Sequence, residues 1–490
     1  MKKYSIWADS FHEGIWCCDH LKSKFEASMF NVEINYIQGF IPIYYFSNPN
    51  TQFMITVFGS YDSWKHLPDK IKELKKYGKP DFVCYSEEDD EIVFAVEETA
   101  AIPTGNQSMQ RCERQYGAAK SKIPYWYLLP EYAEHKDGGI RRDSIWPSIS
   151  AIKLMSRYKT PNVVLHYAGI TNLNDYNAGD GVKLLFDSLQ TLIMANYNCE
   201  DTLSAIKKDL QAQIFHMFRF IKNQYESITN YLPGEQKLTN GFAAFLVEDM
   251  INTKQTVQDW KYDLFHWETL GKLPHEFKEQ CIAHDLIKYD KLCFAFENDI
   301  KLKKCYVLSS NSGSGRPQSE SAIKNYIFEQ KELFESVTSK ELNRKINFEL
   351  KIDDFPKTEN GNVHITTSKN IVYLYDSLSD LAKTICDCFP ELNDVFNGYE
   401  DKPVLVYISN SIKKNRIYGD PFVGQLACYT TVFGKFDSKS RYVLTYYPHQ
   451  VYQTLLVGRL TKGKKILFDC VDFVLFNAGV FYDVNRKEFK

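Results

Sequence analysis

No stretch of the chain reaches about 18 consecutive apolar residues, so no membrane-spanning helix is expected. None of the 12 cysteines falls into a Cys-x-x-Cys pair. The close pairs, Cys17–Cys18 and Cys386–Cys388, lack zinc-ligand spacing, and nothing else completes four ligands. They read as reduced, packed thiols of a cytoplasmic protein. A G-x-x-x-x-G-K-S/T loop is missing, which argues against an ATP-driven motor. So is a G-x-S-x-G elbow, and so is a methyltransferase-type Gly-rich loop with a partner N-P-P-Y. Charge is not one-sided either. Lys and Arg number 59 against 62 Asp and Glu, a formal net charge of −3. That balance neither demands nor excludes a polyanionic partner, because a basic groove can sit on a neutral protein. The opening segment carries Asp9 and Glu13 where a signal peptide needs an apolar centre, so no secretory leader is expected.

What is present is a chain of 490 residues, 44% hydrophobic and 15% aromatic, able to bury real cores. Its length predicts about three domains. Residues 1–200 alternate strand and helix patterns, which implies a mixed sheet covered by helices. "FHEGIWCCDHLKSKF" reads as a helix; "NYIQGFIPIYYF" and "TQFMITVF" read as strands. "SWKHLPDKIKELKKYG" reads as an amphipathic helix stopped by Gly78 and Pro80. Residues 201–300 are mostly helical in pattern, a linker or recognition segment. Residues 301–490 begin with a Ser/Gly-rich loop near 309–321 and return to short strands, a separate α+β domain.

The chemistry concentrates at "KPDFVCYSEEDDEIVFAVEET", residues 79 to 99. Two apolar strand patterns flank an acidic turn, as in a hairpin. The second strand runs into Glu97 and Glu98, and Asp81 opens the first. A carboxylate leaving water must be paired. Closing the hairpin lets Asp81 and one of the two glutamates face a single point, an arrangement that suits a hard cation such as Mg²⁺. Phosphodiester hydrolysis uses such a cation to activate water and to neutralise growing charge. Side chains alternate along a strand, so only one of Glu97 and Glu98 points at Asp81. Glu97 is favoured because it leaves Val93 and Ala95 beneath the site, with Glu98 the alternative. As a bland alternative, Asp81 caps a turn and "SEEDDE" is a solvated loop.

Pro80-Asp81 followed by Glu97-Glu98-Thr99 resembles the motif of the PD-(D/E)XK nuclease superfamily, to which type II restriction endonucleases belong. The resemblance covers roughly residues 60 to 170. It implies a restriction-endonuclease-like mixed α/β sheet flanked by helices in residues 1–200. It also implies Mg²⁺ held by Asp81 and Glu97, with the Glu98 carbonyl as a further ligand. Sequence-specific cleavage of duplex DNA to 5′-phosphate ends by a homodimer would follow, with residues 301–490 as the DNA-recognition domain. The family lysine, which holds the attacking water, falls at Thr99, and Thr99 or a cation from the next helix is expected to position that water. The missing cation is expected from the next helix, where Gln107, Gln110, Arg111 and Arg114 share one face. Lys120 or Lys122 is an alternative source. The same Gln/Arg face suits a nucleic-acid backbone. Lys413, Lys414 and Arg416 in "NSIKKNRIYGDPFVGQ" suit base edges. Thr99 in place of Lys also opens two other readings. One is a DNA-binding protein with a degenerate nuclease fold. The other is a defence effector that cuts only when a partner or small ligand binds.

Overall fold

A computed structural model of the chain resolves into two compact units, described separately. In the first, the described residues are 1–99, 108–134, 140–143, 146–167 and 180–224. In the second they are 225–231, 304–310, parts of 319–332, 360–362, 369–408, parts of 424–431, 441–447, most of 466–476, and 479–490.

The first unit is a mixed α/β layer structure built on an eight-stranded sheet. Its strands are β1 (Lys2–Ala8), β2 (Asn31–Ile37), β3 (Ile41–Ser47), β4 (Gln52–Phe58), β5 (Phe82–Ser86), β6 (Glu91–Glu98), β7 (Tyr125–Pro130) and, after the short ribbon of β8 (Tyr132–Glu134) and β9 (Ile140–Arg142), β10 (Asn162–Tyr167). The order across the sheet is β10-β7-β6-β5-β1-β4-β3-β2. β1 runs parallel to β4, and β6, β7 and β10 are mutually parallel. The remaining neighbours are antiparallel. β7 and the edge strand β10 are buried at every position, as a sheet covered on both faces requires.

Helices α1 (Phe11–Ala27) and α5 (Asp180–Tyr197) cover one face, where Trp16 meets both Phe82 and Phe186. Ser10 starts α1 with a reciprocal cap: its hydroxyl accepts from the Glu13 N–H and the Glu13 carboxylate accepts from the Ser10 N–H. The other face carries α3 (Cys112–Lys120) and α4 (Trp146–Tyr158), with the short α2 (Asp69–Leu74) near β6. Finally α6 (Thr202–Tyr231) lies along the outer edge of β10. The outward N–H groups of Val164 and His166 donate to Met217 Sδ, at 3.3 Å, and His216 Nε2, at 3.0 Å. An edge that would leave buried donors unpaired is thereby satisfied.

Two local readings of the sequence need correction. "NYIQGFIPIYYF" is not one strand. It folds back at a turn in which the Phe40 N–H donates to the Ile37 carbonyl at 3.2 Å, with Gln38 at φ 53° and Gly39 at φ 79°. Positive φ at both central positions is the hairpin turn that matches strand twist, and glycine supplies one of them without strain. The helix expected over residues 63–78 shrinks to Asp69–Leu74, because Pro68 fixes its start and lacks an N–H for an earlier turn.

The second unit is α+β around a seven-stranded sheet. Its strands are β11 (Lys304–Ser310), β12 (Lys369–Tyr375), β13 (Val404–Ile408), β14 (Tyr442–Tyr447), β15 (Phe473–Phe476), β16 (Val480–Asp483) and β17 (Glu488–Phe489), in that order across the sheet. β13, β14 and β15 are parallel. Helix α7 (Leu378–Cys388), capped by Ser377, packs Leu381 and Ile385 into a core with Val404, Leu444, Phe473 and Phe481. No helix among the described residues is long and apolar enough to cross a membrane. The described cysteines are free, and most are buried.

Candidate functional site

The antiparallel register pairs Phe82 with Val96 and Val83 with Ala95. One step further, Asp81 stands opposite Glu97, at the end of the sheet where β6 and β7 finish. Alternation puts Asp81, Glu97, Tyr125 and Tyr127 on the α3 face of the sheet. The loop leading to Asp81 is fixed on both sides. Tyr61 donates its hydroxyl to the Pro80 carbonyl at 2.7 Å, and the Asp9 N–H donates to the Asp81 carbonyl at 2.7 Å. Lys79 bonds Asp9 and lies 2.9 Å from Asp62, over the Tyr61 ring.

Glu97 is fully buried. Its Oε1 accepts from Arg111 Nη1 at 2.8 Å and from Arg114 Nη1. Arg111 also donates to the Glu98 carbonyl at 3.1 Å. Arg114 Nη1 stands 3.7 Å from Asp81 Oδ1, and Asp81 Oδ2 accepts from the Glu98 N–H at 2.6 Å. It is therefore the Glu97 side chain, not that of Glu98, that joins the arginines. The spacing is the cause: residues 111 and 114 lie one turn apart and meet one acid together. Tyr127 holds the approach to that turn by donating to the Ser108 carbonyl at 3.1 Å. Gly78 allows the Asp81 loop to lie against α3, since a Cβ there would sit 2.4 Å from Arg114 Cγ.

The electrostatics follow from burial. Burial raises the Glu97 carboxyl to about 7, although both guanidiniums pull the other way. Asp81 is raised well above the usual carboxylate range by burial and by the Glu97 charge, against the Glu98 N–H and Arg114. Glu113, whose Oε1 is 3.8 Å from Arg114 Nε, is also raised by burial, to about 7.

Thr99 is buried and continues the pairing of β6 with β7: its N–H donates to the Leu128 carbonyl at 3.2 Å, and its own carbonyl accepts from Tyr167 at 3.2 Å. Gln110 sits in the half-turn before α3, half-buried. Lys120 stands over the Tyr77 ring, 5.4 Å from its centre. Gln107, Lys413, Lys414 and Arg416 lie outside the described residues. The sequence reading did not single out Glu113, Tyr125, Tyr61 or the contact made by Gly78. Glu113 carried a signal, as an acid between two arginines one turn apart.

A hard cation is compatible with this donor set. Glu97 Oε2 is buried without a hydrogen-bond partner among the described residues, and so is the neighbouring Tyr125 hydroxyl. Asp81 Oδ1 has Arg114 Nη1 beside it at 3.7 Å. Among the described residues no group of three or more His, Cys, Asp or Glu is placed to share an ion. An ion here would rest on the two carboxylates, and the Glu98 carbonyl, which accepts from Arg111, could add a third oxygen only if that bond opened. The chain matches no protein-family model, no curated protein and no solved structure.

Proposed function

We propose that this protein is a Mg²⁺-dependent endodeoxyribonuclease of restriction-endonuclease type. The observation that carries the reading is the meeting of Asp81 and Glu97 across a strand pair, with Arg111 and Arg114 delivered to the same point by the following helix. The succession β5, β6, α3 and a parallel β7 supports a restriction-endonuclease-like fold for the first unit.

In this mechanism Asp81 and Glu97 would hold the ion, which when bound would supply activation of water and charge neutralisation at the phosphate. Ionising both carboxylates costs the protein their buried protons, so ion binding is coupled to proton release. Arg111 and Arg114 are then freed in part from Glu97. A guanidinium matches two phosphate oxygens at once, and these two orient the scissile group and offset the charge that grows on it. They stand in for the cation that Thr99 does not carry. Duplex DNA is the substrate in this reading, with the second unit as its reader.

The test is a cleavage assay on unmodified duplex DNA of mixed sequence with Mg²⁺, beside EDTA, Asp81→Ala and Glu97→Ala. Discrete fragments lost in all three controls are expected. Cleavage that persists in Asp81→Ala would overturn the assignment. The paired arginines favour one second reading: guanidiniums that hold Glu97 permanently leave a nuclease-like DNA-binding protein that does not cut. Salt-sensitive DNA binding with no cleavage at any Mg²⁺ concentration would establish it.

A further inference from the structure

The two edges of the first unit's sheet are treated differently. At β10 the outward N–H groups are met by His216 and Met217 of α6. At the opposite edge β2 has no neighbour on its outer side among the described residues, and five of its seven residues are exposed. Natural edge strands are blunted by lysine, proline or a bulge. β2, Asn-Val-Glu-Ile-Asn-Tyr-Ile, has none of these and a single charged residue, Glu33, and its pairing with β3 is continuous over all seven residues. Large exposed apolar side chains gather around it. Met29 (87% exposed) precedes the strand, Tyr36 (63%) and Ile37 (44%) end it, and Phe40 (53%) closes its turn.

Charge selects the occupant. Between Lys24 and Lys65 the sequence contains no lysine or arginine, so β2, β3 and β4 themselves offer a nucleic acid no cation for its phosphates. An extended partner strand satisfies the backbone groups instead. β2 is complementary to itself. Run antiparallel about a two-fold axis at Ile34, all seven residues overlap. Val32 then faces Tyr36 of the partner subunit, and Glu33 faces Asn35 of the partner subunit. Centring the axis on Glu33 would set two carboxylates opposite each other, which is unfavourable.

We infer that β2 pairs with β2 of a second copy of this chain, joining two eight-stranded sheets across a two-fold axis. The inference rests on the edge alone and stands whether or not the protein cuts DNA. One strand pair with its flanking aromatics lies at the small end of interface sizes, so the association is reversible.

Sedimentation velocity on the full chain from about 1 to 100 micromolar tests it. The wild type is expected to pass from monomer to dimer. Asn35→Lys places two Glu–Lys pairs across the axis and should tighten the dimer about 2- to 30-fold. Glu33→Lys combined with Asn35→Lys sets like charges opposite each other and should weaken it below wild type. Both positions are exposed, and circular dichroism checks that the fold is kept. A monomer at every concentration overturns the inference. So does a dimer in which Asn35→Lys weakens association or in which neither variant changes it.

Discussion

Arg114 reaches both acids with one nitrogen: its Nη1 bonds Glu97 Oε1 and stands 3.7 Å from Asp81 Oδ1. In the absence of an ion this guanidinium, with Arg111, supplies the counter-charge for a fully buried carboxylate. Removing one partner of a buried pair leaves the other uncompensated. Arg111 stays beside Glu97, so Arg114→Met is expected to destabilise the first unit by about 1–3 kcal/mol in urea denaturation above pH 7, where Glu97 is ionised. Adding Glu97→Gln to it should recover much of that loss. A single variant as stable as wild type would contradict the pairing.

On the proposed nuclease reading, Gly78 acts at a distance from the chemistry. A methyl group there would meet Arg114 Cγ at 2.4 Å and Arg114 Cα at 3.3 Å, so the helix or the Asp81 loop must shift. Misplacement of catalytic groups by about 1 Å costs on the order of 100-fold in rate. Gly78→Ala should lower the turnover number by roughly that factor while the fold is kept, and Mg²⁺-dependent cleavage kinetics measure it. Unchanged turnover would show that the loop tolerates the methyl group.

Glu97 and Glu113 hold their protons up to about pH 7 in the folded protein, against an ordinary value of 4.5. Between those limits the folded state binds protons that the unfolded chain has released. Stability therefore falls as pH rises from about 4.5 through 7 in metal-free buffer, and levels above it. Glu113→Gln should remove part of that slope, on the order of 1–3 kcal/mol. Urea midpoints measured across this pH range check it, and parallel profiles for the two proteins would refute it.

His216 caps an edge donor through Nε2. Replacing it by leucine leaves the His166 N–H buried without its acceptor, a cost of about 1–3 kcal/mol. The expected signature is local: faster hydrogen exchange at the His166 amide, with a smaller change at Val164. Uniform destabilisation without that site-specific change would assign the contact no special role.

The hairpin of β5 and β6 could be read in the sequence because apolar runs flank a turn rich in Ser, Asp and Glu. The Arg111–Arg114 spacing was equally local, and it placed two cations on one helix face. Three features were not local. β1 lies at the centre of the sheet between β4 and β5, yet "KKYSIWA" gave no sign of its parallel partner 50 residues away. The choice between Glu97 and Glu98 depended on register, which a one-residue shift inverts. The use of α6 to seal β10 needed the positions of His216 and Met217 relative to a strand 50 residues earlier, and helical periodicity carries no such information.

Arg111 and Arg114 make the polypeptide its own source of cations at the one place where its carboxylates are driven together. A chain made in a cell starved of divalent ions can still close this end of its sheet. Chelation would silence such a protein without unfolding it, and restoring the ion would wake it with no refolding step. Ion supply would then govern how fast the protein works far more than whether it folds.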